Sequence, residues 1–263
     1  MKKIVVFLLS LLMGTLAFGE RIALIGAMDS EIELLKKDIK NIKSEKIGEI
    51  EYFQGKLEGK DIVLLKTGVG KVNAAIGANT VIREYKVDKI IFTGVAGAID
   101  NSLNIADIVV SEDLVQHDVD LTAFGRPAGL IPGQETVEFK ADEKLKKVAY
   151  DSAVKVLGKD KVKIGRIATG DQFIASKDKV NWIGKTFNAS AVEMEGAVVA
   201  QVAKTYNVPF VVLRAMSDKA DGSATMVYEE FEILAADNSA KIVKEMLKSM
   251  YGGWRNGREQ MLR

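Results

Sequence analysis

Five short apolar runs frame this chain, because each of them stops at a small polar or glycine-rich cluster. Arg21–Ile25 stops at Gly26-Ala27-Met28. Asp61–Leu65 runs into Thr67-Gly68-Val69-Gly70, and Lys89–Phe92 into Thr93-Gly94-Val95-Ala96-Gly97. Lys163–Ala168 ends at Thr169-Gly170-Asp171, and Pro209–Ala215 at Met216-Ser217-Asp218. Such runs suit strands of a sheet covered on both faces. Ile50–Leu57 and Asp107–Ser111 read as further strands. Between them lie helix-length segments. Asp29–Lys40 places Ile32, Leu35 and Ile39 on one face, and Lys71–Tyr85, Lys140–Leu157, Ala191–Tyr206 and Glu230–Met250 follow. The alternation predicts one α/β domain over residues 20–250 with a mixed or mostly parallel central sheet. Ligands of open α/β sheets bind outside the carboxyl ends of the strands. The clusters therefore mark one sheet edge as the candidate site.

Composition narrows the chemistry. There is no cysteine, which removes disulfides, zinc–thiolate sites and thiol nucleophiles. The single histidine, His117, removes His-rich metal sites and reads as structural or pocket-lining. Lys plus Arg is 37 and Asp plus Glu is 36, a balance unlike the basic excess of a nucleic-acid binder. Carboxylates are the acid–base groups left in quantity.

The two ends read differently from the domain. Met1-Lys2-Lys3 is a positive start, Ile4–Leu12 an apolar run, and Ala17-Phe18-Gly19 a small-residue cleavage pattern. This layout predicts a secretory signal over 1–19, an exported, periplasmic-type location and no stable membrane insertion after cleavage. Uncleaved, the same segment reads as an anchor. Residues 251–263 read as a loose tail.

Three carboxylates stand where chemistry could use them. Ser30 and Glu33 have capping-box spacing, which places Glu31 in a first helical turn, where the helix dipole favours its ionised form by roughly 0.3–1 kcal/mol. There it either activates water or only stabilises its helix. Ser190 and Glu193 repeat the spacing and put Glu195 at the head of an apolar helix, bound either to a ligand hydroxyl or to backbone amides. Asp218 follows an apolar strand and reads either as a proton donor or as an Asx-turn. Met28, Phe124, Phe173 and Met194 lie beside these clusters as pocket walls or as core.

Taken in order, Gly26-Ala27-Met28 with Glu31, Thr67–Val72, Thr93–Gly97, Thr122–Gly125, Gly170–Ile174, Ala191–Glu195 and Arg214–Asp218 form a pattern. Over about residues 21–250 it resembles the 5′-methylthioadenosine/S-adenosylhomocysteine nucleosidases of the nucleoside phosphorylase superfamily. The resemblance implies an α/β three-layer sandwich with a mixed central sheet, a homodimer, no cofactor and no metal. It implies hydrolysis of the N-glycosidic bond of methylthioadenosine, S-adenosylhomocysteine and 5′-deoxyadenosine. Glu31 would activate water, Asp218 would protonate the adenine N7, and Glu195 would hold the ribose hydroxyls beside Met194. Phe173 would stack on adenine and Ile174 bond it through backbone, with Ala96, Gly97 and Ser217 around the base. Met28, Val69 and Tyr228 would line the 5′ region, and Phe124 and Pro132 would reach the partner's 5′ pocket. Val95 stands where some relatives have serine, and Tyr228 where phenylalanine is common. The stretch Val115–Leu121 looks like relatives that cleave 6-amino-6-deoxyfutalosine. A phosphorolytic enzyme would meet two acids and no arginine at Ala27–Glu31.

Overall fold

The structure, a computed structural model, describes residues 20–219 and 224–250, with the side chains of 224–230 and 232 left aside. The expected signal segment 1–19 and tail 251–263 lie outside the described residues. The elements alternate as the sequence predicts. β1 (Arg21–Gly26), α1 (Asp29–Lys36), β2 (Lys40–Ile47), β3 (Ile50–Leu57) and β4 (Lys60–Lys66) come first. α2 (Lys71–Tyr85), β5 (Lys89–Ala98), β6 (Ile108–Gln116), β7 (Phe139–Lys140), α3 (Glu143–Leu157) and β8 (Val162–Thr169) follow. α4 (Lys177–Phe187), β9 (Ala189–Glu193), α5 (Gly196–Thr205), β10 (Phe210–Asp218) and α6 (Ala224–Ser249) complete the order.

The ten strands form one mixed sheet. β4, β1, β5 and β10 run parallel side by side, and β3 and β2 extend the β4 edge antiparallel. On the other side β10 pairs with β6, β6 with β8, β8 with β9, and β9 returns to β5. These five strands therefore close a ring within the sheet, which brings the ends of β5, β8, β9 and β10 together.

Side-chain alternation makes the three layers. Ala23 and Ile25 of β1 pack with Ala74, Ala78 and Val81 of α2 and Ala197 and Ala200 of α5. Ile22 and Leu24, one residue out of phase, pack with Ile32 and Leu35 of α1, Ala149 of α3 and Val243 of α6. Both faces of β1 are buried, which is why it reads as an unbroken apolar run. Burying a Leu or Ile in such a core contributes about 1.5–3 kcal/mol.

Two expectations need correction, and one helix is added. The first helix stops at Lys36 rather than Lys40, and Lys40–Ile47 is an almost wholly exposed edge strand. Its lysines blunt an edge that would otherwise template further pairing. Ala189–Glu193 is a strand, not the head of a helix, and α5 begins at Gly196. Lys177–Phe187 is a helix that the sequence reading left unassigned. Among the described residues no helix is long and apolar enough to cross a membrane.

Candidate active site

β1 releases the chain at Gly26, and Ala27-Met28 leads into α1 with Glu31 as its third residue. The cap residue is Met28, so the expected box from Ser30 to Glu33 is displaced. Glu31 turns back instead. One carboxylate oxygen accepts the N–H groups of Ala27 (2.5 Å) and Met28 (3.0 Å), and the other accepts that of Val95 in β5 (3.0 Å). The side chain is 3% exposed. Burial pushes its carboxyl above the ordinary carboxylate range, while the Arg214 guanidinium and the three N–H groups pull it back. The expected preference for the ionised form counted the helix dipole and not this burial.

β10 carries Arg214 into the same place. Arg214 is fully buried, lies 4.1 Å from the Phe92 ring centre, and reaches Glu193 through Nη2 (2.6 Å) and Nε (3.2 Å). Glu193 also caps α5, accepting the N–H groups of Gly196 (2.7 Å) and Glu195 (3.1 Å). Thr169 at the end of β8 donates its hydroxyl to Glu193 and accepts the N–H of Ala197 (2.8 Å). A buried ion pair is tolerable only when its remaining valences are filled in this way. Burial alone would weaken the protonated form of Arg214, but the charges of Glu193, Glu31 and Glu195 hold it firmly protonated.

Gly94 makes the close approach possible. A Cβ there would lie 2.5 Å from Glu31 Oε1 and 2.9 Å from Arg214 Nη1. Glu195 completes the group, accepting the Gly70 N–H at 2.8 Å. Burial and then the charge of Glu193 push its carboxyl up to about 8, against Arg214 and the Gly70 N–H.

Glu31, Glu193 and Glu195 line one cavity of about 240 Å³. Its lining includes Met28, Glu31, Val69, Ala96, Gly97, Phe173, Met194, Glu195, Ser217 and Asp218. Ile174 lines an adjoining recess with Gly97, Phe173 and Asp218. The structure thus gathers most of the residues that the sequence singled out. Asp218 is 3% exposed and accepts the Ser217 hydroxyl at 2.9 Å. A register shift between Met216 and Asp218 re-aims the end of β10 there. Phe124 does not join the cavity and is 81% exposed. Tyr228 lies on α6 with its side chain outside the described residues. His117 is buried behind Gly170 rather than lining the cavity, with neither ring nitrogen bonded. Sequence reasoning missed Arg214 and Glu193 as a pair. The signal was there: a charged residue inside Val211-Val212-Leu213-Arg214-Ala215 needs a buried partner.

No group of three or more His, Cys, Asp and Glu among the described residues could hold a metal ion. The arrangement can do acid–base chemistry instead. It lines one partly apolar cavity with four carboxylates, of which Glu31, Glu193 and Glu195 feel the buried charge of Arg214, and with the aromatic ring of Phe173.

A ring-closed α/β sheet with this carboxylate-lined cavity defines the class, and comparison with known proteins agrees. Residues 21–248 match the phosphorylase superfamily. A 5′-methylthioadenosine/S-adenosylhomocysteine nucleosidase of Staphylococcus haemolyticus is 43% identical over 86% of this chain and 99% of its own. The crystal structure of the Neisseria meningitidis nucleosidase of that name, in complex with methylthio-immucillin-A, superposes with a TM-score of 0.84. It is 41% identical, over 88% of this chain and 99% of its own. Helicobacter pylori futalosine hydrolase superposes with a TM-score of 0.83 at 37% identity, over 88% of this chain and 98% of its own. The chain belongs to the phosphorylase superfamily and, within it, to the 5′-methylthioadenosine/S-adenosylhomocysteine nucleosidase family.

Proposed function

We propose that this protein hydrolyses the N-glycosidic bond of 5′-methylthioadenosine and S-adenosylhomocysteine, and of 5′-deoxyadenosine, releasing adenine and the 5′-substituted ribose. The observation that carries the reading is that Glu31 and Asp218, far apart in sequence, line one cavity. Glycosidic cleavage builds positive charge on the sugar. Glu31 and Glu195 would face that charge, and Glu31 would take the proton of the attacking water. Asp218 would share a proton with the departing base, stacked on Phe173. Binding the developing cation also favours the ionised forms that burial disfavours.

Hydrolysis is favoured over phosphorolysis by charge. The described lining residues include no Lys, Arg or His, and Arg214 beneath them is engaged by Glu193. A phosphate dianion would face carboxylates without a free cation. Adenine release from methylthioadenosine, measured with and without phosphate, tests this. Equal rates support hydrolysis, and release that requires phosphate overturns it.

A second substrate, 6-amino-6-deoxyfutalosine, is favoured by the similarity to Helicobacter pylori futalosine hydrolase. Comparing kcat/KM across the four nucleosides ranks them. A homodimer belongs to the same proposal. Phe124, Val69, Val72 and Ile76 present exposed apolar side chains, and Val69 also lines the cavity, features suited to contact with a second copy. Sizing the protein tests it. Export with cleavage near Gly19 is proposed from the charge and apolar layout of residues 1–19, and N-terminal sequencing of envelope material tests that.

A further inference from the structure

We infer that Asp118 is a positioning residue of the nucleoside site, holding in register two loops that wall a cavity it does not itself line. The inference rests on the hydrolase reading above. The two carboxylate oxygens of Asp118 serve different loops. Oδ1 accepts from Lys71 Nζ at 2.8 Å, and Oδ2 accepts the Asp171 N–H at 3.0 Å. Asp171 in turn accepts the Lys71 backbone N–H at 2.7 Å. Lys71, Asp118 and Asp171 therefore close a ring of contacts that joins the start of α2, the end of β6 and the loop after β8.

The ring meets the cavity on both sides. The peptide N–H one residue before Lys71 is that of Gly70, which donates to Glu195 at 2.8 Å. Two residues beyond Asp171 is Phe173, on the cavity wall. The two loops touch closely: Gly70 has φ +97°, and a Cβ there would lie 3.1 Å from Asp171 Oδ1. Lys71 also reaches Gln116 Oε1 at 3.3 Å, and Gln116 bonds Gln201 of α5 at 2.8 Å. The ion pair is largely shielded, with side chains 21% and 17% exposed, so water screens it less than a surface pair.

Two of the three bonds of the ring end on this carboxylate. Removing it leaves the Lys71 ammonium without its ionic partner and the Asp171 N–H without its acceptor. The Gly70 N–H then drifts from Glu195, and Phe173 drifts from its place on the wall. Glu195 faces Glu193, Glu31 and Arg214, so losing one donor shifts its balance towards the protonated form.

The test is steady-state kinetics on the purified full chain with methylthioadenosine, with adenine affinity measured by equilibrium binding. Asp118→Ala should lower kcat/KM about tenfold, the scale of one lost bond to a charged group, with most of the loss in KM. Adenine should bind more weakly, and the acid limb of the kcat/KM profile should move to higher pH. Asp118→Asn, which keeps an acceptor for Asp171, should lie between Asp118→Ala and the parent. Arg166→Met breaks a comparable pair with Asp113 (2.6 Å) that touches neither loop. It should lower Tm and leave KM and the pH profile alone. A folded Asp118→Ala with parental KM, adenine affinity and pH profile overturns the inference. Where Asp118→Ala does not fold, Lys71→Met opens the ring from the other side, and parental values in that variant overturn it equally. A parent protein that releases no adenine would defeat the hydrolase reading instead, and adenine binding by the same variants would still test the ring.

Discussion

The carboxylates of the cavity fall into two regions with different surroundings, the group held by Arg214 and the end of β10 at Asp218. Around Arg214, three carboxylates share one buried guanidinium, each tied to backbone N–H groups. Asp218 shares its recess with Phe173, Ile174, Val192 and Met194 and accepts the Ser217 hydroxyl. The first region is suited to face a growing cation, and the second to pass a proton to a flat leaving group. The difference teaches that one residue type serves two roles because its surroundings differ, and each variant below removes one side of that contrast.

The largest effects belong to the two reacting carboxylates. Glu31→Gln and Asp218→Asn should each lower turnover by at least about two orders of magnitude while the protein stays folded. Steady-state rates of adenine release, with Tm as the folding check, decide it. A near-normal rate in either variant removes that region from the chemistry.

Arg214→Met comes next and should act on the first region alone. It leaves Glu193 buried without its cation, which costs about 3–5 kcal/mol of stability. Denaturant unfolding measures this, and a loss below about 1 kcal/mol would mean that the carboxylates do not depend on the arginine. Gly94→Ala sharpens the same point, since its Cβ would meet both Glu31 and Arg214. Overpacking of this kind costs about 1–3 kcal/mol. An unchanged midpoint would show that the slot between them is not tight.

The smallest effect is a slope. The Glu195 carboxyl rises from 4.5 to about 8 on folding, so the folded state holds its proton more tightly than the unfolded state. This group's contribution is therefore fully present below about pH 4.5 and is lost as pH rises towards about 8. Glu195→Gln should flatten the fall of Tm across that window in ligand-free protein. A parallel slope in parent and variant would assign the titration elsewhere.

How much was legible depended on burial. β1, β3, β4 and α2 follow the sequence reading closely, because two-sided burial or helical spacing leaves a plain apolar pattern. Lys40–Ile47 has no such pattern, since an edge strand with charged side chains buries almost nothing. Ala189–Glu193 was hidden by a spacing that mimics a capping box. The strand ends there, and Glu193 caps α5 through Oε2 from outside the helix. Glu31, Glu195 and Asp218 were visible as acids at strand ends. The protonation environments of Glu31 and Glu195 were not, because these depend on Arg214 and on N–H groups from Val95 and Gly70, which only the folded chain brings near.

The central claim is that water, directed by carboxylates on both sides of one glycosidic bond, completes the break. A single turnover of methylthioadenosine in ¹⁸O-labelled water without phosphate tests it most directly. The account predicts one labelled oxygen on the released 5-methylthioribose and none on adenine. No turnover until phosphate is added, with the sugar recovered as its 1-phosphate, would contradict it.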